Sequence, residues 1–380
     1  MTAGEQTSLY PPEPRPEALL CWLWLAYSLG YASPHASRVV ELFGNAQTAW
    51  EERAGAEFRR AAGAAAAHRA NLPENTPERF RPLAARCAKM GIKILTCEDE
   101  DYPLALIRTA DFPPVLYCTG DTAFLNAPGA VGMVGSRRPD SYGIQAAGTF
   151  GRALAERGAV IVSGLADGLD GEAHRAAVEA GTPTIGVLGV AIDRTYPASN
   201  RALRKKIEDC GCVISEYGPG EASPVRVGFL QRNRLIAGLS KALLVVEARE
   251  KSGTMSTVGH AERYGRPVFA LPGSVFSEYC AGTNRLIQEG RARLALTAED
   301  LCEVLGLEEA REPRRAPAPP PRPLDEPQRR VLACFGTEEA SVEELAQRSG
   351  LPTAALLSTL MILQLAGRVR ALPGQRYILC

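Results

Sequence analysis

Two short segments of the chain combine arginines with small residues in a pattern suited to binding phosphate. They are Val134-Gly-Ser-Arg137 and Phe229-Leu-Gln-Arg-Asn-Arg-Leu-Ile-Ala-Gly-Leu-Ser240. A guanidinium group presents several N–H donors in a planar fork that matches phosphate oxygens. We interpret both segments as strand ends or loops that bring Arg137, Arg232 and Arg234 into one pocket. This pattern predicts a site that grips a phosphate backbone.

The tripeptide Gly135-Ser136-Arg137 lies between a predicted buried strand and a predicted helix. Glycine allows the backbone to turn sharply and to approach a ligand closely. The N-terminus of the following helix offers free N–H groups and a positive dipole, which favour an anion. Arg137 would add a charged donor there, although a surface ion pair is an alternative role for this residue.

The second segment places Arg232-Asn233-Arg234 before an apolar run, residues 235–239, which we expect to be helical. Two arginines around an asparagine would allow two phosphate contacts, with an amide between them for a sugar or base edge. The ring of Phe229 would stack on an unpaired base, and a core position is an equal alternative for it. We expect alanine at Arg137 or Arg234 to weaken binding of a phosphate backbone while leaving thermal unfolding nearly unchanged. Closure of either arginine on an internal carboxylate would contradict the prediction that they share one pocket.

Two further loops carry candidate ligand-binding residues. Lys251-Ser252-Gly253 enters a predicted helix and repeats the arrangement of a helix N-terminus, although Thr254 there also fits a simple N-cap. Gly164 belongs to a glycine-rich loop that leads into another helix. Asp170 and His174 are four residues apart on that helix, hence on one face. We interpret this pair as structural rather than catalytic.

The elements that must position these residues alternate along the middle of the chain. Strands are predicted at residues 130–134, 159–163, 183–188, 212–215, 242–246 and 267–271. Helices are predicted at residues 142–157, 168–180, 199–209, 254–264 and 283–290. Continuous apolar strands joined by helices indicate an α/β fold with a doubly wound, mainly parallel sheet covered on both faces. Such sheets bind ligands at the carboxyl ends of the strands, where the strand order reverses, and the motifs above all follow strand ends.

Composition divides the chain into five predicted parts. Residues 1–15 are polar and proline-rich, which predicts disorder. Residues 16–85 predict a small helical domain, residues 86–305 the α/β domain, and residues 306–323 a proline-rich linker. Residues 324–380 predict a helix-turn-helix with a β-ribbon wing.

Particular residues support the two outer domains. Ser341 and Glu344 form a predicted capping box at the start of a helix. The second helix of that domain, residues 353–365, contains no Arg or Lys, which disfavours sequence-specific DNA reading by it. For Trp22 and Trp24 in the N-terminal helices, we favour core packing over contact with DNA.

The whole-chain composition excludes several classes of protein. Lys and Arg number 43, as do Asp and Glu, so the formal net charge of zero argues against a wholly basic binder while allowing a local basic groove. The ten cysteines form no C-x-x-C pair, and we interpret them as reduced thiols. We find neither a signal peptide nor an apolar run of the ~20 residues that span a bilayer. We therefore expect a cytoplasmic protein with no membrane partner.

Enzymatic motifs are missing from the sequence. There is no G-x-x-x-x-G-K-[ST] for NTP hydrolysis, no G-x-G-x-x-G after the first strand, and no dense acidic group to hold nuclease metals. We therefore expect no catalysis, no metal and no cofactor. A nucleotide hydrolase of the phosphoribohydrolase type is one alternative, but its Pro-Gly-Gly-x-Gly-Thr-x-x-Glu run is absent. A transcriptional regulator led by residues 324–380 is another.

The order and spacing of the motifs over residues 90–293 resemble the bacterial DNA-processing protein A family (DprA, also called Smf). The matching segments are Val134-Gly-Ser-Arg-Arg138, Ser163-Gly-Leu-Ala-Asp-Gly-Leu-Asp170, Gly186-Val-Leu-Gly189, Tyr196-Pro197, Ser215-Glu-Tyr217, Arg232-Asn-Arg-Leu-Ile-Ala-Gly-Leu-Ser240, Val246-Glu-Ala248, Lys251-Ser-Gly253 and Gly282-Thr-Asn284. The chain departs from the family pattern at Leu230, where proline is usual.

The resemblance carries expectations about fold and function. It implies an extended Rossmann-like domain between a sterile-alpha-motif-like N-terminal domain and a winged-helix C-terminal domain. It also implies a dimer without established catalytic activity that binds single-stranded DNA regardless of sequence. Such proteins load the RecA recombinase onto that DNA, displacing single-strand-binding protein, in natural transformation. By the same resemblance, Arg137 and the segment 232–234 would line the DNA pocket.

Overall fold

The computed structural model describes residues 16–221, 225–307, 324–335, 339–365, 368–372 and 376–379. The chain divides into two compact units, residues 1–310 and 311–380. The segment 1–15, predicted to be disordered, lies outside the described residues, as do residues 308–323 of the predicted linker.

Short helices build the N-terminal part of the first unit. They are α1 (Pro16–Leu29), α2 (Ala36–Phe43), α3 (Ala46–Glu51), α4 (Ala56–Ala62), α5 (Ala64–Ala70) and α6 (Arg81–Lys89), with a 3₁₀ turn at Pro77–Phe80. Trp22 and Trp24 are fully buried, and the Trp24 ring meets Trp50 edge-on with centroids 5.0 Å apart. The predicted core role of the two tryptophans is confirmed. These helices share one continuous apolar core with a face of the central sheet.

A nine-stranded sheet forms the centre of the described part of this unit. Its strands are β1 (Lys93–Thr96), β2 (Val115–Gly120), β3 (Ala130–Val134), β4 (Val160–Ser163), β5 (Thr184–Leu188), β6 (Cys212–Ser215), β7 (Ala242–Val245), β8 (Val268–Ala270) and β9 (Arg293–Leu294). The order is β1-β2-β6-β5-β4-β3-β7-β8-β9, and pairing is parallel from β6 to β9. The predicted mainly parallel α/β fold is confirmed, with β1 and β2 added as an antiparallel edge.

Helices cover both faces of this sheet, as expected for strands that are apolar on both sides. They are α7 (Leu104–Ile107), α8 (Ser141–Glu156), α9 (Leu169–Glu179), α10 (Arg201–Cys210), α11 (Val225–Leu239), α12 (Thr254–Arg263), α13 (Ala281–Gln288) and α14 (Glu299–Leu305), with 3₁₀ turns at Thr122–Asn126 and Ala198–Asn200. Helices α8, α9 and α14 pack on one face, and α11 and α12 pack on the other. The segment 232–234 lies inside α11, so the prediction that it forms a loop before a helix is wrong.

The strand order reverses at β3. This strand has β4 on one side and β7 on the other, and all three run in the same direction. The connection that leaves β3 leads to α8 on one face, whereas the connection that leaves β7 leads to α12 on the opposite face. The two loops therefore diverge and leave a crevice at the carboxyl ends of β3 and β7.

The second unit is a small helical domain with a three-stranded sheet. Its elements are α15 (Glu326–Leu332), α16 (Val342–Ser349), α17 (Thr353–Leu365), β10 (Ala340–Ser341), β11 (Val369–Leu372) and β12 (Arg376–Leu379), with antiparallel strand order β10-β12-β11. The predicted capping box is confirmed: Ser341 Oγ accepts from the Glu344 N–H, and Glu344 Oε2 accepts from the Ser341 N–H. The exposed side chains of α17 include Leu357, Met361 and Ile362, which gives this helix an apolar surface.

None of the helices in the described ranges combines the length and the apolar character needed to cross a bilayer.

Candidate nucleic-acid interface

The loop that follows β3 is built by close backbone packing. A Cβ atom on Gly135 would overlap the Leu169 side chain, and one on Gly168 would overlap the Ser136 carbonyl. The Leu169 N–H donates to that same carbonyl at 3.1 Å, and Thr254 Oγ1 donates to the Gly135 carbonyl at 3.1 Å. The loop is therefore fixed between the loop after β4 and the start of α12, while the Arg137 side chain stays exposed.

A groove of about 420 Å³ opens at this point, in the crevice between β3 and β7. Its walls come from the loops after β3, β4 and β7 and from one face of α11. The lining residues include Gly135, Ser136, Arg137, Ala166, Asp170, Phe229, Leu230, Arg232, Asn233, Ile236, Arg249, Ser252, Gly253, Thr254 and Thr257. Three of these side chains are cationic and one is acidic, so the groove is basic although the whole chain is neutral. Besides Arg137, seven of the predicted site residues line this groove: Gly135, Ser136, Phe229, Arg232, Asn233, Ser252 and Gly253.

Phe229 lies at the wall of this groove beside two guanidinium groups. Arg137 Cζ lies 4.5 Å from the centroid of the Phe229 ring, and Arg232 Cζ lies 5.9 Å from it. The ring quadrupole attracts such cations, so the contact holds Arg137 at the groove without an acidic partner. Among the described residues Arg137 forms no ion pair, and its guanidinium is available to an incoming anion.

Arg232 forms the floor of the groove. It is 3% exposed and donates to the Val187 carbonyl near the end of β5. Burial lowers the pKa of Arg232 to about 10, with Arg137 acting in the same direction and Asp170 opposing, so the guanidinium stays charged at neutral pH. Burial raises the pKa of Asp170, and the positive charges of Arg232 and Arg137 partly offset this rise. Gly164 does not line the groove; a Cβ there would overlap the Arg232 guanidinium, so this glycine makes room for it.

Arg234 points away from the groove. It is 2% exposed, and its Nη2 lies 2.6 Å from both carboxylate oxygens of Glu216. The prediction that Arg234 contacts a phosphate is wrong, and the helix explains why. Residues two apart on a helix point about 200° apart, so Arg232 and Arg234 lie on opposite faces of α11. The prediction that one pocket holds Arg137, Arg232 and Arg234 is therefore wrong, because the Glu216 carboxylate pairs with Arg234 inside the protein.

The start of α12 forms the opposite wall. Ser252 and Gly253 line the groove there, whereas Lys251 is exposed but does not line it. Asn233 Nδ2 donates to Ser256 Oγ at 2.8 Å and so ties α11 to α12. Ser252 Oγ is a buried atom without a hydrogen-bond partner among the described residues.

Arg249 is a groove residue that the sequence reasoning missed. Its guanidinium pairs with Glu278 at 2.8 Å and lies 4.5 Å from the centroid of the Tyr279 ring. A usable signal was present, because Arg249 follows the end of β7 in the same way that Arg137 follows the end of β3.

A buried carboxyl group lies close to the same edge of the sheet. Glu247 is fully buried behind the groove, where the Asp140 N–H approaches Oε2 to 3.4 Å and Oε1 has no partner among the described residues. Burial raises the pKa of Glu247 from its ordinary 4.5 to about 7. Gly143, at the start of α8, accommodates this side chain, because a Cβ there would overlap Oε2.

The pair Asp170 and His174 is structural in its contacts. His174 is fully buried with Nδ1 2.8 Å from Thr184 Oγ1, and burial lowers its pKa to about 3, so the ring is neutral at neutral pH. Asp170 Oδ2 accepts from the Gly164 N–H at 3.1 Å and so holds the loop after β4. In the described part of the chain, no group of three or more potential metal-binding side chains occurs.

Comparison with known proteins agrees with this architecture. The family model for DNA recombination-mediator protein A matches residues 93–306, more than half of the chain, and that for the DprA winged helix domain matches residues 315–375. The chain belongs to this family. The resemblance inferred from the motifs is confirmed.

Individual relatives show how far the similarity extends. The DNA processing protein DprA of Bacillus subtilis is 38% identical over 63% of this chain and 80% of its own length. Protein Smf of Escherichia coli is 36% identical over 74% of this chain and 76% of its own length.

Two solved structures are also similar. DNA processing protein A of Streptococcus pneumoniae aligns over 75% of this chain and 97% of that one, with a TM-score of 0.62 and 31% identity. The Helicobacter pylori protein, described for a single-stranded DNA binding mode, aligns over 56% and 95% with a TM-score of 0.51 and 36% identity.

The buried pair predicts a stability effect for Arg234. We expect Arg234→Ala to lower the free energy of unfolding by about 3–5 kcal/mol, because it leaves the Glu216 charge buried and unpaired. The double variant Arg234→Met with Glu216→Gln should recover most of the loss, since the neutral amide still accepts from the Ala32 N–H that now bonds Glu216. Urea denaturation of the three proteins measures this. Normal stability of Arg234→Ala, together with weakened DNA binding, would contradict it.

The carboxyl of Glu247 predicts a pH dependence. Because its pKa is raised from 4.5 to about 7 on folding, the folded state binds more protons than the unfolded state between these values. Its contribution to stability is therefore fully present below pH 4.5 and is lost as the pH rises through 7. We expect the Tm of Glu247→Gln minus that of the parent to grow between pH 5 and pH 8. A difference that stays constant over this range, measured by calorimetry, would disprove the shift.

Proposed function

We propose that this protein binds single-stranded DNA, without sequence preference, along the groove at the carboxyl ends of β3 and β7. The observation that carries the proposal is the position of Arg137. It is exposed, forms no ion pair among the described residues, and lies over Phe229 beside the start of α12. A guanidinium next to helix N–H groups is an arrangement that recognises phosphate.

The composition of the groove supports binding that is independent of sequence. Its cationic side chains and backbone groups suit phosphate oxygens, which are the same for every nucleotide. Reading a sequence would need several side chains that distinguish base edges, and Asn233, the amide side chain of the groove, is already engaged by Ser256. The Helicobacter pylori relative, described for its binding of single-stranded DNA, supports the same ligand class.

We propose that the protein acts in recombination. As a homodimer, it loads RecA onto the bound single-stranded DNA during natural transformation. Membership in a family of recombination mediators supports this role. The proposed role requires no catalytic step and puts the protein in the cytoplasm, where the DNA and RecA are. The apolar surface of α17 fits a contact with protein better than one with DNA.

Arg137 provides the test of the DNA site. We expect Arg137→Ala to weaken binding of an oligothymidylate about tenfold or more at moderate salt, because a charge-assisted phosphate contact is lost. The slope of log K against log salt should become shallower by about 0.7, the value for one phosphate contact on a single strand. Fluorescence anisotropy across a salt series measures both quantities.

A matched variant controls for the loss of one positive charge. Arg152→Ala removes an exposed arginine of α8 that pairs with Glu179, away from the groove. We expect its affinity and salt slope to match those of the parent. Equal losses in both variants would show that the overall charge, rather than the groove, binds DNA.

The recombination role has a separate test. The protein should shorten the lag of RecA filament formation on DNA coated with single-strand-binding protein, and Arg137→Ala should lose this effect. A chain truncated after residue 307 should keep most of its DNA affinity if the groove binds the strand. Loss of all binding on truncation would favour a regulator led by the winged-helix unit.

A further inference from the structure

An exposed tyrosine stands next to the groove without being part of its wall. Tyr196 lies in the loop after β5, with its side chain 47% exposed. Its ring centroid is 5.3 Å from that of Phe229, at an interplanar angle of 42°. Arg137, Phe229 and Tyr196 thus form a row of contacts from the loop after β3 to the loop after β5.

Within this row, Tyr196 offers the ring that is open to a base. Phe229 is half-buried and already carries the Arg137 guanidinium at 4.5 Å. A base that stacked on that face of Phe229 would have to displace Arg137 and forfeit the cation–π contact. Tyr196 contacts Phe229 on one side and keeps about half of its surface in solvent.

The backbone that presents Tyr196 is held in place by buried hydrogen bonds. Arg204, which is 8% exposed, donates to the carbonyls of Ile192 at 2.6 Å and Arg194 at 2.7 Å. Buried Asn200 donates to the carbonyl of Ala166 in the loop after β4 at 3.0 Å. Stacking on a side chain whose backbone is already held loses less conformational entropy.

Two exposed arginines lie within five residues of Tyr196 in the sequence. Arg194 and Arg201 are both exposed, and neither forms an ion pair among the described residues. Many other surface arginines of the described chain, such as Arg152 and Arg285, are engaged by a glutamate. A basic flank next to an exposed ring is the combination that single-strand binding proteins use.

We propose that Tyr196 is a stacking platform for a base of the bound strand, so that the DNA path leaves the groove at Arg137 and continues over Tyr196 toward Arg194 and Arg201. The inference rests on the proposed function. Under this inference the three residues have different roles: Arg137 contacts phosphate, Phe229 positions Arg137, and Tyr196 contacts a base.

The test compares an oligothymidylate with an oligonucleotide of the same length made of abasic sites. We expect Tyr196→Ala, in the full-length chain, to weaken binding of the oligothymidylate about 5- to 150-fold, the range for one lost base stack. Binding of the abasic strand should be unchanged, since it has no base to stack. Tyr196→Phe should behave as the parent, and Tyr196→Leu, which keeps apolar volume at Phe229, should behave as Tyr196→Ala.

Two further readouts separate stacking from other effects. The salt slope should be unchanged in Tyr196→Ala, because no phosphate contact is removed. Tyr27→Ala provides the matched control, since Tyr27 is 45% exposed on the N-terminal helices; it should bind both oligonucleotides as the parent does.

The possible failures are distinguishable. A parent protein that binds neither oligonucleotide overturns the proposed function and this inference with it. A parent that binds while Tyr196→Ala binds the oligothymidylate equally well overturns the stacking role alone. Equal losses on both oligonucleotides also overturn it, because the side chain would then act on the backbone or on the fold.

Discussion

The reversal of strand order at β3 is the constraint on which the whole site depends. Because β4 and β7 flank β3 in the same direction, their helices must cover opposite faces of the sheet, and the loops between them separate. The loops around this space pack closely against one another at the sheet edge. Glycine is needed at positions 135 and 168, because a side chain at either would overlap the neighbouring loop. The groove is thus a consequence of topology, and the side chains around it decide what it holds.

Burial divides the arginines of the site into two kinds. Arg232 and Arg234 are desolvated, and each is compensated within the protein by carbonyl or carboxylate oxygens. Removing a charge from water costs several kcal/mol unless it is paired, so these two groups are committed to the fold. Arg137 and Arg249 keep their contact with solvent, and among them only Arg137 lacks a carboxylate partner in the described chain. A neutral protein can therefore contain a basic groove, because only a few of the arginines there need to lack a carboxylate partner.

Hydrogen bonds between neighbouring loops make the site rigid before any ligand arrives. Thr254 joins α12 to the loop after β3, Asn233 joins α11 to α12, and Asn200 joins the loop after β5 to the one after β4. The resemblance alone implied DNA contact for Asn233 and gave no role to Thr254 or Asn200. The hydrogen bonds fix the loops around Arg137 and Phe229 relative to one another.

The sequence by itself determined the α/β class, most strand positions, the capping box of α16 and the family, because apolar period, turn residues and motif spacing are local properties of the chain. It also indicated that the groove lies at strand ends, since parallel topology brings those ends to one edge. It failed at Arg234 and Arg249, and it did not indicate that Tyr196 lies against Phe229. Whether residues 232–234 form a loop or a helix decides which arginine faces the groove, and a three-residue motif carries no period that distinguishes the two. The partner of Arg234 is 18 residues away and Tyr196 meets Phe229 across two strand connections, so only the packing of distant segments could decide which charges are neutralised and which ring stays open.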